Sequence, residues 1–168
     1  TSLKRILTLR FPPLILGLFL GIFLSFITSR FEEVIAKNIA VAFFIPFIVY
    51  LADAVGTQTQ SIYIRDLRTG NASFKKYLIK ESLLGLAIGL IFSLFSAIVI
   101  MVWFKSAALT LTVGLSIFIA VLAAPPIALV ITEIMSLNKR DPAPGAGTIA
   151  TIIQDVVTVL IYGFIASA

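Results

Sequence analysis

The chain has 168 residues, of which 60% are hydrophobic and 12% are charged, and its mean hydropathy is +1.10. A soluble domain carries about 25% charged residues, so this composition excludes an ordinary soluble domain and predicts one compact membrane domain over residues 1–168. The net charge of +5 would suit nucleic acid, but the basic residues lie in short connectors, so we expect lipid headgroups as their partners and no nucleic acid.

Cysteine and histidine are both absent. Their absence excludes disulfides, thiolate chemistry, haem ligation by histidine and the commonest zinc and copper ligands. An enzyme is also disfavoured, because no nucleophile and base pair is recognisable. Any metal site must therefore use oxygen ligands.

Five apolar runs follow one another, and each is about as long as the roughly 20 residues that cross a bilayer. They predict an all-α membrane protein with five transmembrane helices per subunit, at about 11–29, 38–64, 82–104, 106–137 and 142–166. Pro12 and Pro13 suit the first turn of the first helix. No small-residue cleavage site follows that run, so we expect a retained helix rather than a signal peptide.

The last two predicted helices contain further proline signals. Pro125 and Pro126 lie inside the fourth run, where they should kink or break the helix. Asp141 and Pro142 come directly before the fifth run and indicate a helix start, with the aspartate as cap and the proline at the first helical position.

Basic residues alternate between rich and poor connectors. Ten lie in the N-terminal segment and the second and fourth connectors: Lys4, Arg5, Arg10, Arg65, Arg68, Lys75, Lys76, Lys80, Lys139 and Arg140. The remaining three lie in the other connectors: Arg30, Lys37 and Lys105. By the positive-inside rule, this pattern predicts a multi-pass cell-membrane protein with a cytoplasmic N-terminus and an external C-terminus.

Two pairs of glycines show the four-residue spacing that lets membrane helices approach closely. They are Gly17 with Gly21 and Gly85 with Gly89. Packing within the subunit, packing between subunits and chance are all compatible with this pattern.

Two of the eight carboxylates lie near the middle of an apolar run, Asp53 in the second and Asp155 in the fifth. An acid at that depth costs about 2.5 to 3.5 kcal/mol on insertion scales. Each belongs to a polar stripe with helical spacing. The fifth-helix stripe is Thr148, Thr151, Asp155, Thr158 and Tyr162. The second-helix stripe is Pro46, Tyr50, Asp53, Thr57 and Gln60.

Two such stripes facing each other would line a hydrated path. In the alternative, each aspartate is protonated or hydrogen-bonded to neighbouring Thr and Gln side chains and only fixes helix packing. No basic residue is predicted at this depth, so a mobile cation is the obvious counter-charge. Oxygen ligands suit hard ions, and Mg²⁺ fits best because a sparse site can hold it through its hydration shell.

Three other acids have weaker signals. Glu81 opens the third helix beside Lys80 and is either an interfacial ion pair or a ligand at the cytoplasmic mouth, and Glu133 shares this ambiguity. Asp141 is better explained as a helix cap than as an ion ligand.

Taken in order, several short motifs of the chain resemble the transmembrane domain of MgtE-type magnesium channels and the related solute carriers. The motifs are Arg10-Phe11-Pro12, Phe44-Ile45-Pro46, Val55-Gly56-Thr57-Gln58-Thr59 followed by Arg65, Lys80-Glu81, and Asp141-Pro142-Ala143 followed by Asp155. The resemblance covers nearly the whole chain.

The resemblance implies a homodimer with a pore on its twofold axis, where Asp155 of each subunit holds hydrated Mg²⁺ with help from the backbone near Thr151. It also implies functional positions at Asp141, Glu81 and the second-helix Gly-Thr-Gln segment. One departure is that the bacterial channels typically have Gly-Asn-Ala-Gly where this chain has Asp53-Ala54-Val55-Gly56. The family's cytoplasmic magnesium-sensing domains have no counterpart in these residues.

We therefore expect passive or potential-driven passage of a divalent cation, most simply Mg²⁺, through a dimer. Asp155, Thr151 and Asp53 are the expected metal residues, and the supporting residues are Thr148, Thr158, Thr57, Gln60, Glu81 and Asp141. Two alternatives stay open: an exchanger coupled to protons or Na⁺, and a non-transporting membrane scaffold whose polar stripes pack helices together.

Overall fold

A computed structural model describes residues 3–137 and 142–168, which are helical apart from short connections. Over these residues the helices are α1 (Leu3–Ser29), α2 (Glu32–Lys37), α3 (Ala40–Arg68), α4 (Phe74–Phe104), α5 (Ala107–Leu137) and α6 (Pro142–Ser167). The described residues confirm the predicted all-α protein. A helix suits lipid because it satisfies its backbone hydrogen bonds internally.

Four helices in the described ranges are long and apolar enough to cross a membrane. They are α3, α4, α5 and the part of α6 from Gly147 to Ser167, while α1 adds a shorter apolar stretch, Leu14–Ser29. This is the architecture of a multi-pass membrane protein.

Helix α5 is the centre of the bundle. It packs on α3, α4 and α6, whereas α1 packs on the outer side of α6. Val113, Ile117 and Val121 of α5 are fully buried. By contrast, Leu18 and Phe19 of α1 are more than 60% exposed, as expected of side chains that face lipid.

The pair Gly85 and Gly89 packs within the subunit, against α5. A Cβ at Gly85 would lie 3.0 Å from Cγ of Pro125, and one at Gly89 would lie 3.1 Å from the carbonyl oxygen of Phe118. One turn further on, the Ser93 hydroxyl donates a hydrogen bond of 2.7 Å to the carbonyl of Gly114. Of the three explanations for this spacing, close packing inside the subunit is therefore the correct one.

The other pair behaves differently. A Cβ at Gly17 would lie 3.3 Å from Cγ2 of Thr148 on α6, whereas a Cβ at Gly21 would meet nothing within 4 Å in the described part of the chain. Gly17 thus belongs to the contact between α1 and α6, and Gly21 does not.

Tyrosine hydroxyls join the helices at both ends of the bundle. At the end rich in basic residues, the Tyr63 hydroxyl donates to Oε2 of Glu133 over 2.6 Å, and the Tyr77 hydroxyl donates to Asp66. At the opposite end, the Tyr162 hydroxyl donates to the carbonyl of Val41 over 2.7 Å.

The helices extend beyond the apolar runs that revealed them. α1 begins at Leu3, so Pro12 and Pro13 lie inside it rather than in its first turn, and α4 begins at Phe74 rather than near residue 82. An apolar run marks only the hydrocarbon part of a helix, whereas Lys and Arg side chains at its ends extend into the headgroup layer. Each proline removes one backbone donor, but its fixed φ remains compatible with a helix.

Pro125 and Pro126 were predicted to kink or break the helix; a break is wrong, because α5 continues from Ala107 to Leu137. A proline at position 125 leaves the carbonyl of Val121 without its usual helical donor. Gly85 lies against this carbonyl; a Cβ added at Gly85 would be only 3.3 Å from the carbonyl oxygen. Close packing of α4 thus supports the helix at the point where its hydrogen-bond ladder is interrupted.

Candidate functional site

A narrow cleft lies where α3, α5 and α6 meet near the middle of the bundle. It is lined by Asp53, Gly56, Thr57 and Gln60 of α3, Ala128 of α5, and Ala150, Thr151 and Gln154 of α6. Its volume is about 10 Å³, which is roughly the space that one water molecule needs. The cleft therefore brings together polar residues from both predicted stripes.

The two aspartates lie on facing helices; Asp53 lines this cleft, whereas Asp155 does not line it and directly follows the lining residue Gln154. Both are half-buried, and they are close enough for the charge of Asp53 to act on Asp155. Oδ1 of Asp155 is buried and has no hydrogen-bond partner among the described residues. The alternative explanation was that this acid is protonated or hydrogen-bonded to neighbouring Thr and Gln side chains, and such hydrogen bonds do not satisfy that oxygen.

Gln154 is a residue of the cleft that the predicted stripe on α6 missed. It is only 3% exposed, and its Nε2 donates to Oγ1 of Thr158 over 3.3 Å and to the carbonyl of Ala120 over 3.5 Å. Its Oε1 has no partner within the part of the chain that the structure describes. The signal was present in the spacing, because Thr151, Gln154 and Thr158 follow one another at intervals of three and four residues.

Gln60 closes the cleft toward α5. Its Nε2 donates to Oγ1 of Thr132 over 3.1 Å, and that hydroxyl donates to the carbonyl of Ala128 over 2.8 Å. The amide nitrogen of Gln60 is therefore used to join two helices, and Gln60 supports the wall of the cleft.

The remaining members of the two stripes point in several directions. Thr148 faces α1 at Gly17, Thr158 accepts the hydrogen bond from Gln154, and the Tyr162 hydroxyl is bonded to α3. Tyr50 is 68% exposed on the outer surface of α3. The residues of one predicted stripe therefore contact different neighbouring helices, or none, once the helices pack.

Glu81 lies away from the cleft. It is buried, and its Oε2 accepts a hydrogen bond of 2.9 Å from the Thr59 hydroxyl. The ion pair with Lys80 is not found, since Arg65 with Asp66 is the ion pair seen in the described ranges. Asp141, the remaining predicted residue, lies outside the residues that the structure describes.

The cleft offers only oxygen ligands to a cation. Within residues 3–137 and 142–168, no group of three or more acidic side chains could hold a metal in one subunit. The donors that line it are the carboxylate of Asp53, the amide oxygen of Gln154 and the hydroxyls of Thr57 and Thr151, and the carboxylate of Asp155 lies nearby. Such a set suits a hard cation such as Mg²⁺ that retains water or shares ligands between subunits.

Comparison with known proteins points to one family. A family model described as MgtE, divalent cation transporter, matches residues 45–165. The chain is 32% identical over 162 residues to the magnesium transporter MgtE of Bacillus subtilis, which covers 95% of this chain and 36% of that protein.

Two further relatives agree with this match. The MgtE magnesium transporter of Enterococcus faecalis is 31% identical over 94% of this chain and 36% of its own length. That of Thermus thermophilus is 26% identical over 89% of this chain and 34% of its own length. The chain thus spans about a third of the length of the curated relatives it matches.

Proposed function

The chain belongs to the MgtE family of divalent cation transporters, and from this premise we propose that it carries Mg²⁺ across a membrane as part of a homodimer. Members of this family are ion transporters and not enzymes. The observation that carries the proposal is Asp155, a half-buried carboxylate in the middle of α6 with one oxygen unpartnered in the described part of the subunit.

The proposed topology has five crossings, with α1 as the fifth spanning helix beside the four that meet the length and hydropathy criteria. The basic ends of α3 and α4 then lie in the cytoplasm, because Arg65, Arg68, Lys75, Lys76 and Lys80 are grouped at one end of the bundle. An odd number of crossings puts the end of α6 outside.

A dimer is supported by polar side chains on the outer surface of α3. Tyr50, Thr57 and Gln58 are all exposed in the single subunit. Polar groups that face hydrocarbon lack hydrogen-bond partners, so a second copy packed over this surface would remove them from lipid. Thr57 also lines the cleft, so the cleft lies next to the proposed interface.

In the dimer, Asp155 of each subunit would face a shared path, and hydrated Mg²⁺ would pass between the two carboxylates. Mg²⁺ gives up water reluctantly, so hydroxyls such as that of Thr151 would contact its water shell rather than the ion. A membrane potential of about 100 mV supplies about 2.3 kcal/mol per charge, hence about 4.6 kcal/mol for a divalent ion. Inward flow therefore needs no other energy source.

Mg²⁺ uptake into liposomes tests the proposal. The Asp155→Asn variant keeps the shape of the side chain and removes its charge, so we expect uptake to fall at least about tenfold, which corresponds to a lost interaction of about 1.4 kcal/mol. Glu33→Gln is the matched control, because Glu33 is an exposed carboxylate on α2. Unchanged uptake by a dimeric Asp155→Asn protein would remove Asp155 from the mechanism.

One observation favours a second candidate, a proton- or Na⁺-coupled exchanger. Asp53 adds a second carboxylate beside Asp155, and a pair of carboxylates can release a proton or a monovalent ion as a divalent ion binds. An exchanger predicts Mg²⁺ flux that follows an imposed pH or Na⁺ gradient at constant voltage. A channel predicts flux that follows voltage and the Mg²⁺ gradient alone.

A further inference from the structure

Gln154 carries an unsatisfied oxygen into the cleft, and its orientation is determined by its neighbours. The Nε2 atom faces the carbonyl of Ala120 and the hydroxyl of Thr158. Rotating the amide by half a turn would bring Oε1 against the Ala120 carbonyl, so that two acceptors would face each other. The oxygen is therefore directed away from α5, in a residue that is 97% buried and lines the cleft.

A buried acceptor without a donor costs about 1 to 3 kcal/mol. Here that oxygen shares a cleft with the carboxylate of Asp53, and the next residue, Asp155, has an unpartnered buried oxygen as well. Among the described residues, no basic side chain of α3, α5 or α6 lines the cleft. The arrangement holds excess negative charge and unused acceptors at the same point.

From these contacts we infer that each subunit holds a divalent cation by direct coordination in the cleft, between Asp53 on α3 and the Oε1 atom of Gln154 on α6. A cation satisfies the amide oxygen and reduces the repulsion between the two carboxylates. A cleft of about 10 Å³ has no room for an ion with a full shell of six waters, so the ion would have to exchange several of them for cleft oxygens, and the hydroxyls of Thr57 and Thr151 are available beside Asp53 and Gln154.

The inferred site differs from the proposed site of passage in place and in chemistry. The path between the two Asp155 side chains holds a hydrated ion shared by two subunits, whereas the cleft holds a partly dehydrated ion in each subunit. The inference rests on the proposed function only in taking a divalent cation as the ligand. Gln154 is then a direct ligand in addition to the carboxylate of Asp53.

Counting bound Mn²⁺ by electron paramagnetic resonance on the full chain separates the two sites, because Mn²⁺ replaces Mg²⁺ and has a strong signal. Two cleft ions and one shared ion per dimer give three in total. We expect Asp155→Asn to lose the shared ion and keep the other two. We expect Asp53→Asn to weaken binding of those two at least about tenfold and to keep the shared ion.

A conservative variant guards against a merely structural effect. Asp53→Glu keeps a carboxylate in the cleft and leaves the hydrogen bonds of Gln154 in place, and we expect it to keep two cleft ions per dimer. The number of water molecules bound to these ions, measured by electron spin echo in D₂O, should be well below six.

A count that is the same in wild type and Asp53→Asn would overturn the inference and assign the unpaired oxygen to an ordinary water molecule. A full shell of six waters on every bound ion would overturn it too. Loss of the shared ion alone, in Asp155→Asn, concerns the proposed path and leaves the cleft site unaffected.

Discussion

Replacing Gly85 with alanine tests how closely α4 packs against the interrupted part of α5. The added Cβ would lie 3.0 Å from Cγ and 3.3 Å from Cδ of Pro125, and 3.3 Å from the carbonyl oxygen of Val121. Carbon atoms pack best at about 3.5 to 4.0 Å. A proline ring and a backbone carbonyl cannot rotate away, so the two helices must separate locally by several tenths of an ångström.

The expected cost of this overpacking is about 1 to 3 kcal/mol of the free energy of unfolding. Gly21→Ala is the matched control, because a Cβ there meets nothing within 4 Å of the described residues. Both variants gain the same helix propensity of about 1 kcal/mol. The difference in stability between them therefore measures the contact with α5 alone.

Unfolding of the purified protein by SDS in mixed micelles, followed by circular dichroism, measures this difference. Gly114→Ala should fall between the two, since the atom nearest to its Cβ, the Ser93 hydroxyl oxygen, would be 3.4 Å away rather than 3.0 Å. Equal stability of the Gly85→Ala and Gly21→Ala proteins would show that α4 does not pack on α5 at Pro125 as closely as described.

Two other substitutions test contacts at the ends of the bundle. Tyr63→Phe removes the 2.6 Å hydrogen bond to Glu133 and should lower the free energy of unfolding by about 1.5 to 3 kcal/mol; wild-type stability in the same unfolding assay would contradict this. Gly163→Ala places a methyl group where the Phe31 ring lies and should cost about 1 kcal/mol; wild-type stability would mean that the ring moves aside freely.

The position of the two aspartates near the middle of α3 and α6 could be predicted from sequence because it depends only on position along an apolar run. The direction in which a side chain points depends on where the neighbouring helices lie, and the sequence of one helix does not contain that information. Tyr50 shares a helical face with Asp53 at spacing three, yet it lies on the outer surface, because α5 and α6 cover only part of α3. The predicted polar stripe therefore showed that α3 contributes to the cleft, but it did not show which of its residues line the cleft.

The two glycine pairs show the same limit. Gly17 with Gly21 and Gly85 with Gly89 have identical spacing, but only the second pair lies wholly against another helix of the subunit. What distinguishes them is the helix that each pair contacts. Pro125 of α5 leaves the carbonyl of Val121 without a helical hydrogen-bond donor, and only a residue without a side chain can approach that carbonyl closely. That requirement links residues far apart in sequence, so no local pattern reveals it.

Gln154 and Asp155 are consecutive, and in an α-helix consecutive side chains point about 100° apart. Because the amide of Gln154 is held against the backbone of α5, the rotation of α6 about its axis is restricted, and so is the direction of Asp155. A residue facing the inside of the subunit thereby orients the one expected to face the shared path. It follows that a hydrophobic residue at 154 would disturb the proposed path even if no ion ever entered the cleft, whereas Asp53→Asn leaves the hydrogen bonds of Gln154 in place and examines the cleft ion by itself.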